Sequence, residues 1–291
     1  KYMKDKNIQD LINLYNSGEL ATVKKKVVKL IKKYPNNFIL YNLFGAVLAD
    51  QENLDDAVIN YRKSIKINSD YAEGYNNLGS ALYKLGKFNE SIDSYQRAIQ
   101  IKSDYAEAFK NIGNVLIMTN KVDEAISNYE KAIKINTNFI KTFVKVGNFL
   151  KDSGRIDGAR KCFDKLFKLK PDDIGYKINS EQLIAPLVQS VEEINFFRNG
   201  YEKSLETLKK YKYITEKPGD IIGANFFTLA YHAKDNLEIM MKTSKFFRKI
   251  TPNINYVANN INKSKKQRKI RVGFISEFLT RHTIGKLFGG L

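Results

Sequence analysis

The chain has 291 residues, which is enough to bury a sizeable hydrophobic core and to hold more than one structural unit. It carries 49 Lys and Arg against 31 Asp and Glu, for a formal net charge of +18, so an anionic partner has to be considered. The single cysteine excludes an internal disulfide and favours a reducing, cytoplasmic compartment. No apolar run approaches the roughly 20 residues that a membrane-spanning helix needs, and we expect no membrane partner.

The basic excess is spread along the chain and does not mark one binding surface. Residues 174–291 hold 20 Lys and Arg against 10 Asp and Glu, and the other residues hold 29 against 21. The one dense cluster consists of Lys263, Lys265, Lys266, Arg268, Lys269 and Arg271. A solvated linker accounts for this cluster more simply than a nucleic-acid site does, so we expect no nucleic-acid partner. A basic RNA-binding solenoid stays open as the weakest alternative.

In chain order, the first predicted unit is an array of helical hairpins in residues 1–173. Its repeat is clearest in residues 71–139, where two consecutive copies match with no gap, so that Tyr71 of the first copy corresponds to Tyr105 of the second. The first copy contains two apolar stripes at helical spacing, separated by a turn at Leu85-Gly86-Lys87. A period of about 34 residues with two such stripes predicts stacked pairs of antiparallel helices.

Small and aromatic residues predict how the two helices of a pair pack. Small side chains let two helix axes approach closely, and an aromatic ring fills the space beside them. In the first copy the pattern of aromatic, Leu-Gly, small, aromatic and small residues is formed by Tyr75, Leu78-Gly79, Ser91, Tyr95 and Ala98. In the second copy it is formed by Phe109, Ile112-Gly113, Ala125, Tyr129 and Ala132. This pattern resembles the tetratricopeptide repeat (TPR) family, which implies an all-α, right-handed superhelix of helix-turn-helix repeats.

Counting by the same period in both directions gives about five repeats, of which the first is degenerate. Its small positions are held by Leu11, Val23 and Leu30. An atypical terminal unit is expected in a repeat array, because it has a neighbour on one side only.

The first helix of each pair lines the inner surface of a TPR superhelix, and its exposed positions here are rich in asparagine. Carboxamides donate and accept hydrogen bonds at once, so a ladder of them suits the backbone of an extended peptide. The predicted peptide-binding residues are Asn42, Asn76, Asn77, Asn111, Asn114 and Asn148. An asparagine-rich composition on a solvated face is the alternative explanation.

Residues 174–262 are predicted to stay helical after the repeat period ends. An apolar stripe from Ile184 to Ile194 indicates one helix, Asn199-Gly200 a turn, and the residues from Tyr201 onwards another helix. Two further helices are expected over residues 221–232 and 235–250.

Residues 263–291 change character after the basic cluster. The stretch from Lys269 to Ser276 is short, rich in β-branched residues and bounded by charge, which predicts a buried strand. A loop and the start of a helix at Ile284 follow. Strand, loop and helix are the opening of a doubly wound α/β lobe.

These three parts, in this order, resemble one family. The residues of the last part that carry the resemblance are Arg271, Val272, Gly273, Ile275, Ser276, Phe278, His282, Gly285 and Leu287. It is that of the O-GlcNAc transferase and SPINDLY-type glycosyltransferases, particularly the bacterial members. The segment from Asn225 to His232 is similar to the one that precedes the catalytic region in that family.

The resemblance implies a GT-B-type enzyme that moves a sugar from UDP-GlcNAc or a similar donor to Ser or Thr of a protein held by the TPR superhelix. His282 would lie in a loop of the active cleft and is the one candidate catalytic residue. Because the donor site of such enzymes lies mainly in a second lobe, we expect a chain truncated at the start of its catalytic region. Such a fragment would have no cofactor site and no activity of its own.

The sequence leaves two alternatives open and indicates no metal site. A non-enzymatic TPR interaction scaffold would explain the repeats without a catalytic region, and dimerisation through the repeats is open. The two histidines and the single cysteine lie far apart, so no metal site is expected.

Overall fold

In the computed structural model, the described residues (5–185, 187–211, 232 and 234–250) are helical or in turns, with no strand among them. The first ten helices are α1 (Asp5–Asn16), α2 (Leu20–Lys33), α3 (Phe38–Asp50), α4 (Leu54–Ile67), α5 (Ala72–Lys84), α6 (Phe88–Ile101), α7 (Ala106–Met118), α8 (Val122–Ile135), α9 (Ile140–Asp152) and α10 (Ile156–Leu169). A 3-10 turn, Thr137–Phe139, leads into α9. The remaining helices are α11 (Ile174–Glu181), α12 (Val191–Leu208) and α13 (Leu237–Ile250).

Helices α1 to α10 form five consecutive hairpins that stack into the predicted all-α superhelix. The two helices of each hairpin contact each other, and α2, α4 and α6 also pack on the first helix of the next hairpin. Helix α8 packs on the 3-10 turn before α9, and its Tyr129 ring stacks on Phe143 of α9. None of the helices in the described ranges is long and apolar enough to cross a membrane.

The turns inside the hairpins share one backbone feature. The residues with positive φ are Gly18 (82°), Glu52 (60°), Gly86 (74°), Asn120 (61°) and Gly154 (76°), which occupy the same position of successive repeats. A left-handed residue after a helix lets the chain reverse, and glycine adopts it without steric cost. The repeat period therefore extends to the backbone angles of all five hairpins.

In the second to fifth hairpins, a glycine of the first helix lies against an aromatic ring of the second, so the ring that was expected beside the small residues contacts the glycine itself. A Cβ atom added to Gly45, Gly79 or Gly113 would lie only 2.7–2.8 Å from the ring of the tyrosine sixteen residues later. In the third hairpin this ring belongs to Tyr95, and the hydroxyl of buried Ser91 donates to the Gly79 carbonyl at 2.7 Å. These contacts set the separation of the two helices.

The helices after the repeats differ from the sequence prediction in two places. Residues 182–185 and 187–190 are not helical, and Leu187 has 86% of its surface exposed, so the stripe that was expected to start a helix at Ile184 does not form one. Helix α12 starts at Val191, where the Ser190 hydroxyl accepts from the Glu193 amide at 3.1 Å. The predicted turn at Asn199-Gly200 is wrong, because α12 runs through both residues.

Several predicted features lie outside the described residues. They are the helix over residues 221–232 apart from His232, the basic cluster between Lys263 and Arg271, the strand near residues 269–276, the helix from Ile284, and His282.

Replacing Gly79 by Ala is expected to lower the free energy of unfolding by about 1–3 kcal/mol, because the new methyl group would overlap the Tyr95 ring. Urea denaturation of the two proteins measures this change. Gly200→Ala is the matched control, since no described atom lies within 4 Å of the position where its Cβ would be. In the middle of α12 the same methyl group should stabilise by about 0.5–1 kcal/mol. Equal effects at the two glycines would contradict the assignment of Gly79 to a spacing role.

Candidate peptide-binding groove

The first helices of the hairpins form a surface that we call the inner groove, made by α1, α3, α5, α7 and α9. A cavity of about 370 Å³ opens in its amino-terminal half. It is lined by residues from α1, α3, α4 and α5: Tyr15, Asn42, Leu43, Ala46, Ala49, Asp50, Tyr61, Asn77, Ser80, Ala81 and Lys84. Four of these are alanine or serine, so the space that larger side chains would fill is open to a ligand.

Asn42 and Asn77 form a carboxamide pair at this cavity. The Asn77 side-chain amide donates to Asn42 Oδ1 at 3.1 Å, and Asn42 Nδ2 donates to the Tyr71 hydroxyl at 3.2 Å. Both asparagines are half-buried. The Asn42 amide is therefore held on both sides. The Oδ1 atom of Asn77 accepts no hydrogen bond from a described residue, and Asn77 lines the cavity.

Asn76 and Asn111 form a second pair, but in a different environment. Asn111 Nδ2 donates to Asn76 Oδ1 at 3.0 Å, and the two side chains are only 9% and 7% exposed, respectively. This pair lies between α5 and α7 and ties successive hairpins together. Their placement favours a structural contribution over direct contact with a peptide.

Asn114 and Asn148 occupy equivalent positions one repeat apart. The Tyr129 hydroxyl donates to Asn114 Oδ1 at 2.5 Å, which links the two helices of the fourth hairpin. Asn148 is half-buried and has no side-chain hydrogen bond to the described residues. The six predicted asparagines are thus all on the first helices, but they divide between a cavity pair, a buried pair and two separate positions.

Charges of both signs lie along the inner groove. The Tyr15 hydroxyl donates to Asp50 Oδ2 at 2.5 Å, and burial together with this hydrogen bond raises the pKa of Tyr15 to about 12. Lys110 pairs with Glu107 at 2.5 Å, whereas Lys84 has no acidic partner among the described residues. A surface of mixed sign does not track a phosphate backbone, which requires a continuous positive lining.

The cysteine and the one described histidine are both buried, and they lie apart from the inner groove. Cys162 is fully buried in α10, and burial raises the pKa of its thiol to about 12, so the thiolate nucleophile is suppressed. Burial, with Arg198 and Lys234 nearby, lowers the pKa of His232. The described ranges contain no group of His, Cys, Asp and Glu that could hold a metal ion.

Sequence reasoning did not identify Tyr15 or Tyr61 as cavity residues. A signal for Tyr15 was present, because the Tyr15–Asp50, Asn42–Asn77 and Asn76–Asn111 hydrogen bonds each join residues 35 apart. Polar side chains separated by one repeat plus one residue therefore meet between neighbouring first helices. Scanning the sequence at this spacing would have connected the degenerate first hairpin to the second.

Comparison with known families agrees with this architecture. A family model described as TPR repeat matches residues 45–86 and 79–119, and one described as tetratricopeptide repeat matches residues 106–139 and 140–173. These matches cover four of the five hairpins in whole or in part. Residues 45–173 therefore consist of TPR repeats.

Solved structures that match the chain include MamA, PilF of Pseudomonas aeruginosa and YrrB. MamA is 28% identical, with 59% of this chain and 97% of that chain covered and a TM-score of 0.48. PilF is 19% identical, with 71% and 90% covered and a TM-score of 0.49. YrrB, described as a TPR protein with an unusual peptide-binding site, is 20% identical, with 70% and 96% covered and a TM-score of 0.46. No curated protein gives a significant match to the chain.

The buried tyrosines of the repeats predict that stability falls in alkaline solution. The pKa values of Tyr15, Tyr71 and Tyr105 are raised to about 12 from the ordinary value of 10.0, chiefly by burial. Between these values the unfolded chain releases protons that the native chain retains, so the free energy of unfolding decreases as the pH rises from 10 to 12. Urea denaturation across this window, with tyrosinate absorbance recorded in parallel, measures the effect. Ionisation of all tyrosines near pH 10 without unfolding would contradict it.

Proposed function

We propose that this chain is a peptide-binding TPR module that holds an extended segment of a partner protein in its inner groove. The observation that carries the proposal is the 370 Å³ cavity in which the Asn42–Asn77 pair lies beside small side chains. An extended segment has unpaired backbone N–H and C=O groups that must be satisfied on binding. A carboxamide on a helix can meet either kind of group, whatever the sequence of the segment.

The hydrogen-bond network supports a pre-formed site. Because Asn42 is held by Tyr71 and Asn77, the two carboxamides are oriented before a peptide arrives. Pre-orientation reduces the side-chain entropy that binding would otherwise cost. Lys84 supplies a cation at the same cavity that pairs with no acid of the described ranges, and Asp50 is already engaged by Tyr15.

The proposal extends to the parent protein, for which we propose a protein O-glycosyltransferase. Its support is the sequence resemblance of residues 225–232 and 271–287 to O-GlcNAc transferase and SPINDLY-type enzymes. In this proposal the inner groove holds the acceptor protein, UDP-GlcNAc or a similar donor binds elsewhere in the full-length enzyme, and His282 belongs to the active cleft. A non-enzymatic scaffold is the competing proposal. A nucleotide-sugar-binding α/β lobe encoded after residue 291 supports the enzyme, and a stop codon or a further repeat array there would refute it.

Asn77→Ala tests the groove, because it removes the carboxamide whose Oδ1 atom accepts no hydrogen bond from a described residue. We expect extended peptides selected on the wild-type protein from a displayed library to lose about 1 kcal/mol, or roughly fivefold, in affinity. Fluorescence anisotropy measures this loss. Asn138→Ala, in the exposed turn before α9, is the matched control and should change nothing.

Asn111→Ala separates a binding role from a structural one. It leaves the buried Asn76 carboxamide without its partner, and we expect the free energy of unfolding to fall by about 1–3 kcal/mol. Unchanged peptide affinity in Asn77→Ala would refute the proposed site, whatever the stability of Asn111→Ala.

A further inference from the structure

The second helices of neighbouring hairpins are joined by ion pairs at two of the three junctions between α4 and α10. Across α4 and α6, Arg62 pairs with Glu90 at 2.8 Å. Across α8 and α10, Lys161 pairs with Asp123 at 2.6 Å, and Lys165 pairs with Glu130. Each pair therefore links the second helices of two successive hairpins.

The junction between α6 and α8 has no such pair within the described ranges, and the sequence gives the reason. Gln96 lies one repeat after Arg62 and also one repeat before Glu130. The residues opposite it are Glu124, which is equivalent to Glu90, and Lys131, which is equivalent to Lys165. One repeat before Asp123 the position holds Asn89, opposite Ser127. A neutral amide has replaced a charged partner in every equivalent pair.

An open cleft of about 660 Å³ lies at this junction, and we call it the outer groove. Its floor is apolar and includes Ile99 and Phe109, both partly exposed, as are the equivalent Ile65 and Tyr75 one repeat earlier. One repeat later, Ile133 and Phe143 are only 3% and 0% exposed. Its volume falls within the range of about 300–1,000 Å³ that is typical of ligand sites.

The walls of the outer groove determine what kind of ligand fits it. Carboxamides line both sides, with Gln96 and Gln100 on α6 and Asn128 on α8. The charged residues balance, since Asp93 and Glu124 are matched by Lys121 and Lys131. Such walls complement the N–H and C=O groups of a peptide backbone and offer no excess charge to an ionic ligand.

The length of the groove gives the length of the segment. Residues 89 and 100 of α6, which mark its two ends, lie roughly 16 Å apart along the helix axis. Extended chain rises about 3.3 Å per residue, so the groove accommodates about five residues. Because alternate side chains of an extended segment point to the same side, every second one would face the apolar floor.

We propose that the outer groove is a second peptide site, which takes an uncharged, extended segment of about five residues with apolar side chains at alternate positions. It lies on the second helices of the hairpins, away from the Asn42–Asn77 cavity of the inner groove. The chain can then hold two separate segments at once.

Restoring the missing ion pairs tests this proposal. Gln96→Arg reproduces the Arg62–Glu90 arrangement with Glu124, and the double change Asn89→Asp with Ser127→Lys reproduces the Asp123–Lys161 arrangement without altering net charge. All three positions are exposed, so folding is expected to be retained. The matched control for added charge is Ser103→Arg, in the exposed turn after α6.

The probe is a fluorescently labelled, end-blocked peptide of five residues that alternates leucine and serine. Because the inner groove can take the same probe, we expect two probe molecules to bind each chain of the wild type and of the Ser103→Arg protein. We expect only one to bind each chain of the two closed variants, Gln96→Arg and Asn89→Asp with Ser127→Lys, and no loss of thermal stability in either. The same peptide with aspartate in place of leucine should not bind.

Two results would overturn the proposal: no saturable binding to the wild type, or equal binding to the closed variants. If binding is equal in the closed variants but lost in Asn77→Ala, the probe occupies the inner groove. The second site is then refuted while the proposed function stands.

Discussion

The architecture depends on the contact between a glycine backbone and an aromatic ring inside the second to fifth hairpins. With no Cβ on Gly45, Gly79 or Gly113, a tyrosine ring of the second helix lies directly against the first helix. This contact sets the distance between the two helices, and its recurrence in successive repeats makes the hairpins alike enough to stack. The fifth hairpin has the same arrangement with Gly147 and Phe163, where a Cβ atom added to the glycine would lie 3.1 Å from the ring.

Stacking then creates two surfaces with different chemistry. On the inner side, polar residues 35 positions apart form hydrogen bonds between successive first helices, and these bonds occur in two different environments. The Asn76–Asn111 pair is buried and holds hairpins together, while the Asn42–Asn77 pair lies at a cavity where a ligand can reach it. On the outer side, ion pairs join second helices at two junctions, and a cleft lies at the junction where Gln96 and Asn89 take the place of charged partners.

Cationic side chains also stack on aromatic rings inside the hairpins with the period of the repeat. Lys63 lies 5.9 Å from the centre of the Tyr41 ring, Arg97 6.0 Å from that of Tyr75, and Lys131 5.6 Å from that of Phe109. Some of the basic excess of the chain is therefore used within the fold, where the charge remains solvated and the aliphatic stem covers apolar surface. This agrees with the interpretation that net charge alone does not identify a nucleic-acid partner.

The sequence by itself determined the hairpins, their number and the residues at their closest contacts, because each follows from a local pattern that returns in every repeat. It failed where periodicity ended: α12 runs through Asn199-Gly200, since helix contacts outweigh the weak preference of these residues for a turn. Only the tertiary structure decided which asparagines face a cavity and which are buried. Adjacent positions such as Asn76 and Asn77 differ by about 100° around the helix, and the neighbouring hairpin, not the local sequence, covers one and leaves the other open.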